Sequence, residues 1–305
     1  MSAPLTPAVF DLNAYLSQQG ERIHAALERF VPPETEEPTI IHRSMRYSLF
    51  AGGKRVRPVL AIASAEALDC ETDAVLAPAC ALEMVHTYSL IHDDLPALDN
   101  DDLRRGLPTN HKVFGDAMAI LAGDALLTLA FQVLSRAPGL DAAQRLALVE
   151  ELSVASGTVR GMIGGQVHDL EGENQTPSTE LLDKIHRAKT GALLRASVRF
   201  GAISADHLPG SPSYQSLSRY GESIGLAFQI VDDLLDLEST PEQLGKTPGK
   251  DVAQNKITFP AVYGVETSRR MADEHLAAAH AALEPFRERA AALHAIADLI
   301  VHRNS

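Results

Sequence analysis

Apolar residues recur at intervals of three and four along most of the chain. The clearest runs are Leu121–Leu134 (LAGDALLTLAFQVL), Leu217–Leu237 and Met271–Val301. This spacing keeps apolar side chains on one face of a 3.6-residue turn and predicts amphipathic helices. The Ala-rich stretch Ala272–Ala297 reads as ordinary amphipathic helix. Alternating β-branched runs are nearly absent. Breakers separate the helical runs at Pro32–Pro38 (PPETEEP), Glu171–Thr179 (EGENQTPST), His207–Ser213 and Ser239–Gly249. None has the length or composition of an interdomain linker, and there is no repeat of solenoid period. The expected fold is all-α, with one large helical domain over residues 1–305.

Composition narrows the function. Hydrophobic residues make up 45% of the 305, enough for a sizeable core. The net charge of −13 argues against nucleic acid or an anionic membrane as the main partner. Against that background, a local cluster of Lys and Arg carries information. Cys70 and Cys80 show neither metal-ligand spacing nor a disulfide framework and read as reduced thiols. The N-terminal MSAPLTPAVFDLNAYL lacks the pattern of a secretory signal. No uncharged apolar run approaches the roughly 18 residues of a membrane span. A soluble, cytoplasmic protein without membrane insertion is expected.

Two acidic clusters interrupt this apolar pattern. The first is Asp93-Asp94-Leu-Pro-Ala-Leu-Asp99, followed by Asn100-Asp101-Asp102. The second is Asp232-Asp233-Leu-Leu-Asp236. Asp is a poor interior helix residue, and clustered like charges repel, so a cation is expected between them. Asp232 and Asp236, four apart, share a helix face. Asp99 is six residues after Asp93, and Pro96 stands between them. Asp99 reaches the same site only if the backbone departs from a straight helix there. Oxygen-only donors select a hard cation, and Mg²⁺ takes one or two carboxylates plus water and substrate phosphates. The clusters therefore suit a diphosphate held by several Mg²⁺ ions.

The complementary cations are also present. Gly52-Gly53-Lys54-Arg55-Val56-Arg57-Pro58 is a compact basic loop, and Arg104-Arg105-Gly106 follows the first acidic cluster. Glycines let backbone N–H groups approach an anion, while guanidinium groups supply forked donors. His86 lies seven residues before Asp93, on the same helical face. Lys189-Thr190-Gly191 interrupts a helical stretch, Phe228-Gln229 precedes the second cluster by one turn, and Lys246, Lys250 and Lys256 follow it. Gly245-Lys246-Thr247 is no phosphate-binding P-loop, because the earlier glycine position holds Thr240.

These elements, in this order, resemble the trans-isoprenyl diphosphate synthases, and most closely the bacterial farnesyl diphosphate synthases. The resemblance rests on GGKRVRP at 52–58, HTYSLIHDDLPALDNDDLRRGLPTNH at 86–111, GDALL at 123–127, GGQVHDL at 164–170, KTGALL at 189–194, FQIVDDLLD at 228–236 and GKTPGKDVAQNKITFP at 245–260. It implies a helical bundle around a deep cavity, as a homodimer, acting on small diphosphates. It implies that Asp93, Asp94, Asp99, Asp232, Asp233 and Asp236 hold magnesium on the allylic diphosphate, which Arg104, Lys189 and Lys246 also grip. It implies that Lys54, Arg57, His86 and Arg105 bind isopentenyl diphosphate, and that Thr190 and Gln229 turn oxygens toward the allylic cation. Tyr88, with Ser89 one turn before Asp93, is the implied floor of the product tunnel, and an aromatic there goes with a fifteen-carbon product. Relatives often end in a more basic tail than Val301-His302-Arg303-Asn304-Ser305, leaving Arg303 to close the site. A geranylgeranyl diphosphate synthase is the nearest alternative. A class I terpene cyclase typically carries a different second metal motif, and a non-catalytic subunit usually loses aspartates; this chain keeps all six.

Overall fold

The computed structural model describes residues 10–173, 175–238 and 256–303. The helices are α1 (Leu12–Phe30), α2 (Thr39–Leu49), α3 (Val56–Glu66), α4 (Asp73–Asp93), α5 (Asn110–Phe114), α6 (Asp116–Ser135), α7 (Ala142–Ser156), α8 (Met162–Gly172), α9 (Thr179–His186), α10 (Ala192–Ser204), α11 (Pro212–Glu238), α12 (Phe259–Tyr263), α13 (Val265–Leu283) and α14 (Ala291–His302). Local chemistry sets several starts. Asp141 caps α7 in a reciprocal capping box with Gln144, and Ser178 caps α9 through the Leu181 N–H. Such caps contribute about 1 kcal/mol each.

Helix α4 runs through the core, packed between α3, α6 and α10. It is apolar all round, and its buried side chains include Leu82, Met84, Val85 and Ile91. That is the pattern of a helix enclosed on every side. Helices α10, α11 and α13 pack in succession beside it. The all-α expectation holds: the described strands are two residue pairs, Leu103–Arg104 and Leu107–Pro108, in an antiparallel hairpin. Strands this short carry no periodicity, so the sequence pattern does not predict them.

One expected helix is divided. The Met271–Val301 periodicity spans α13 and α14, with a 3-10 turn at Glu284–Ala290 and a left-handed Arg287 (φ 53°) between them. Pro285 lacks an amide proton and cannot continue the α-helical ladder.

Although each is interrupted by acidic residues, α4 and α6 are long and apolar enough to cross a membrane by length and composition alone, a test that the core helix of a soluble protein also passes. The apolar window of α4 is 78% buried inside the fold, whereas that of α6 is only 39% buried. Ile120 and Leu121 on α6 are exposed by 45% and 52%.

Candidate active site

The acidic pocket forms where α4, α8, α9 and α11 meet, with a volume of about 190 Å³. Asp93, Asp99, Asp232 and Asp233 all line it. Asp99 returns as the sequence required. Helix α4 ends at Asp93, the chain turns through Pro96, and the Asp99 N–H donates to the Asp93 carbonyl at 2.9 Å. Burial pushes the Asp93 carboxyl up to about 6; Lys189 opposes this and the nearby Asp99 charge adds to it. The hard oxygen donors of these carboxylates are of the kind divalent magnesium takes. No three acidic, His or Cys side chains among the described residues group closely enough to hold an ion by themselves, so water and diphosphate oxygens would complete its shell.

The six aspartates are not equivalent. Asp94 is 3% exposed; its two oxygens share the Arg104 Nε–H, at 2.8 and 2.9 Å, and Oδ1 also accepts from Arg104 Nη2. Asp233 is 4% exposed and accepts from Gln229 Nε2 on one oxygen and from the Phe259 N–H on the other, each at 2.8 Å. Asp232 is half exposed and pairs with Arg303. Asp236 lies one turn further along α11. Lys256 Nζ approaches Asp99 Oδ1 at 3.6 Å, joining the first cluster to the segment after the second.

Lys189 and Thr190 sit in a π-helical turn, Arg187–Gly191, joining α9 to α10. The expected interruption is therefore a widened helical turn, a feature common at functional sites. Gly165 of α8 packs directly against it. A Cβ there would lie 2.2 Å from the Lys189 backbone nitrogen, so only glycine admits this approach. Lys189 Nζ donates to Asp169 Oδ2 at 2.6 Å. Sequence reasoning assigns Asp169 no role, although GGQVHDL is among the matched stretches; its place inside that stretch is its signal.

A second cavity of about 310 Å³ opens between α4 and α8. Leu90, Asp93, Lys189 and Thr190 line both cavities, which therefore adjoin. Arg57 and His86 stand in its wall. Arg57 Nε is buried with no hydrogen-bond partner among the described residues, as suits a donor built for an anion. Burial, opposed by the Glu83 charge and aided by Arg105, lowers the Arg57 guanidinium to about 10. His86 is pushed well below the usual imidazole value by burial, then by Arg57, Arg105, Arg104 and Arg55. Cations that depress one another in this way occupy one neighbourhood. The Arg105 side chain crosses Gly53 (φ 124°) and donates to the Gly52 carbonyl; a Cβ on Gly53 would lie 2.6 Å from the guanidinium carbon. Lys54 is lowered by partial burial and by Arg303. Arg55, from the same loop, instead forms a buried ion pair with Glu83.

Tyr88 and Ser89 both line the apolar cavity. The Tyr88 ring meets His92 edge-on at 5.7 Å, and the Ser89 hydroxyl donates to the His86 carbonyl at 2.9 Å. Thr190 donates to Gln229 Oε1 at 2.9 Å. Lys246, assigned to the allylic diphosphate, lies outside the described residues, as does Lys250.

A helical bundle with facing carboxylate clusters, beside an apolar cavity with cationic side chains in its wall, defines an isoprenoid synthase fold. A solved structure titled an FPP/GFPP synthase, from Zymomonas mobilis, superposes with a TM-score of 0.84 at 38% identity, covering 95% of this chain and 98% of that one. Residues 38–296 match the model of the polyprenyl synthetase family, and the chain belongs to it. The Escherichia coli farnesyl diphosphate synthase is 46% identical over 93% of this chain and 96% of its own length. The Cyanophora paradoxa geranylgeranyl diphosphate synthase is 46% identical over 97% and 98%.

Proposed function

We propose that this chain, as a single catalytic domain, is a trans-prenyltransferase that joins isopentenyl diphosphate to dimethylallyl and geranyl diphosphates. The products are farnesyl diphosphate and inorganic diphosphate. The observation that carries this reading is that the two cavities adjoin at Asp93, Lys189 and Thr190. Carboxylates line the first cavity, and Arg57, His86 and apolar side chains share the wall of the second.

Asp93, Asp99, Asp232 and Asp236 would hold magnesium, with Asp94 and Asp233 beside them. The chemistry magnesium supplies when bound is neutralisation of the departing diphosphate. Lys189, Arg104 and Lys246 grip that diphosphate and stabilise charge as the allylic C–O bond breaks. Lys54, Arg57, His86 and Arg105 hold isopentenyl diphosphate, so that its double bond attacks the allylic carbon. The proton lost from the condensed cation passes to the departed diphosphate. Thr190 and Gln229 present oxygens to the cation, and the walls of α4 and α8 exclude water. Tyr88 closes the tunnel and favours the fifteen-carbon product.

A homodimer in the cytoplasm completes the reading. Helix α6 is apolar yet largely uncovered, and with Ile40 and Ile41 it borders a groove of about 610 Å³ that a second copy would fill. Cys70 and Cys80 are both free thiols, as a reducing compartment maintains them.

The test is chromatography of products from isopentenyl diphosphate with dimethylallyl, geranyl or farnesyl diphosphate as starter. Farnesyl diphosphate is expected from the first two, with turnover abolished by EDTA and restored by Mg²⁺. Asp93→Ala and Asp232→Ala should each lower kcat by several orders of magnitude with helical circular dichroism intact. Full turnover in excess EDTA, or normal kcat in both variants, overturns the metal assignment.

A further inference from the structure

Asp233 belongs to the second carboxylate cluster, yet its surroundings differ from those of Asp232. Its Oδ2 receives the backbone N–H of Phe259, and His186 Nε2 lies 3.6 Å from the same oxygen. The His186 ring stacks on Phe259 at 5.1 Å and walls this side of the carboxylate. Oδ1 receives Gln229 Nε2, one helical turn earlier on α11. A carboxylate only accepts hydrogen bonds. It therefore selects the NH₂ end of the Gln229 amide and turns Oε1 the other way. That oxygen faces Thr190 and accepts its hydroxyl proton at 2.9 Å. With the proton committed to Gln229, the lone pairs of Thr190 Oγ1 remain for the cavity that Thr190 lines.

We propose that Asp233 is a positioning residue that sets the polarity of a relay, Asp233–Gln229–Thr190, and so presents the Thr190 hydroxyl as an acceptor toward the cavity. This deepens the reading above and rests on it, because an acceptor is useful there only where positive charge develops. Reversing the relay would place a hydroxyl proton against a forming carbocation. Fixed dipoles aimed at developing charge act on the barrier rather than on ground-state binding.

The relay can be reversed and restored with nearly isosteric changes. In Asp233→Asn, the side-chain oxygen still accepts from Phe259, while its NH₂ confronts the Gln229 NH₂. The Gln229 amide must rotate, its NH₂ then donates to Thr190, and the Thr190 proton turns outward. The expected result is a fall in kcat on the order of 100-fold, as for loss of one preorganised donor elsewhere, with little change in either KM. In the double variant Asp233→Asn/Gln229→Glu, the introduced amide NH₂ donates to the introduced carboxylate, whose other oxygen again accepts from Thr190. The carboxylate has moved by four residues, and the polarity is restored.

The experiment measures kcat, both KM values, thermal unfolding and Mn²⁺ affinity for the wild type, Asp233→Asn, Gln229→Glu, their double variant, Thr190→Val and the combination Asp233→Asn/Thr190→Val. The relay predicts that the double variant exceeds each single variant at least tenfold in kcat and keeps wild-type Mn²⁺ affinity. Thr190→Val should lower kcat alone but add little to Asp233→Asn. A double variant no better than Asp233→Asn, while Thr190→Val is impaired and folding is intact, overturns the relay. A loss of Mn²⁺ affinity shared by Asp233→Asn and the double variant assigns Asp233 to the metal and also overturns it. Full kcat in Thr190→Val instead overturns the role given to Thr190 above, and the relay with it. Should Asp233→Asn prove too unstable to purify, Gln229→Leu replaces it as the broken relay, and the double variant must exceed it in kcat.

Discussion

The Arg303 guanidinium stacks 4.0 Å over the Phe228 ring and donates from Nη2 to Asp232 Oδ1 at 3.2 Å. A C-terminal cation thus rests on the second carboxylate cluster. Metal arriving without substrate has to compete with it. Arg303→Ala should tighten Mn²⁺ binding to the substrate-free protein by about two- to fivefold, the range of a partly exposed pair. Calorimetric titration reads this directly. Unchanged affinity would mean that the pair does not form in solution.

Arg57 provides a sharper test of two separate diphosphate sites. Its Nε is buried with no hydrogen-bond partner among the described residues, and the surrounding cations depress it. Arg57→Ala should raise KM for isopentenyl diphosphate by the equivalent of about 2–5 kcal/mol, with a much smaller effect on the allylic substrate. Equal effects on both KM values would argue for a single shared site.

Tyr88 is 5% exposed, and its hydroxyl has no hydrogen-bond partner among the described residues. Tyr88→Phe should therefore be neutral or raise Tm slightly, since it removes a buried polar group left unpaired. Its product should stay unchanged, because the ring remains. Tyr88→Ala should shift the main product beyond farnesyl diphosphate. Unchanged products from a stable, active Tyr88→Ala enzyme would remove Tyr88 as the floor.

His86 links stability to pH. Burial and four nearby arginines (Arg57, Arg105, Arg104 and Arg55) hold its folded-state value well below 6.5. Below about pH 6.5 the unfolded chain takes up a proton that folded His86 refuses. The stabilisation is complete above that pH and is lost as pH falls toward the folded value. The slope approaches about 1.4 kcal/mol per pH unit for one proton. Denaturant titrations of wild type and His86→Gln between pH 7 and pH 5 should show a flatter dependence in the variant. Parallel curves would contradict this.

Sequence alone determined the helices and most of the chemistry, for reasons local to the chain. A 3.6-residue apolar period commits α6 and α11 to amphipathic helix whatever surrounds them. The spacing of Asp232 and Asp236 puts them on one face by helix geometry. Pro96 required a bend before Asp99, and the Asp93 carbonyl now accepts the Asp99 N–H. Tertiary structure decided what depends on contacts between distant segments. Met271–Val301 reads as one helix until Pro285 and Arg287 turn the chain. Local periodicity cannot reveal that Gly165 presses against Lys189, or that Lys189 meets Asp169 twenty residues earlier. Nor can it distinguish adjacent carboxylates. Asp232 and Asp233 are neighbours in the chain, but the roughly 100° step between helical residues turns one toward Arg303 and the other into a wall formed by Phe259 and His186.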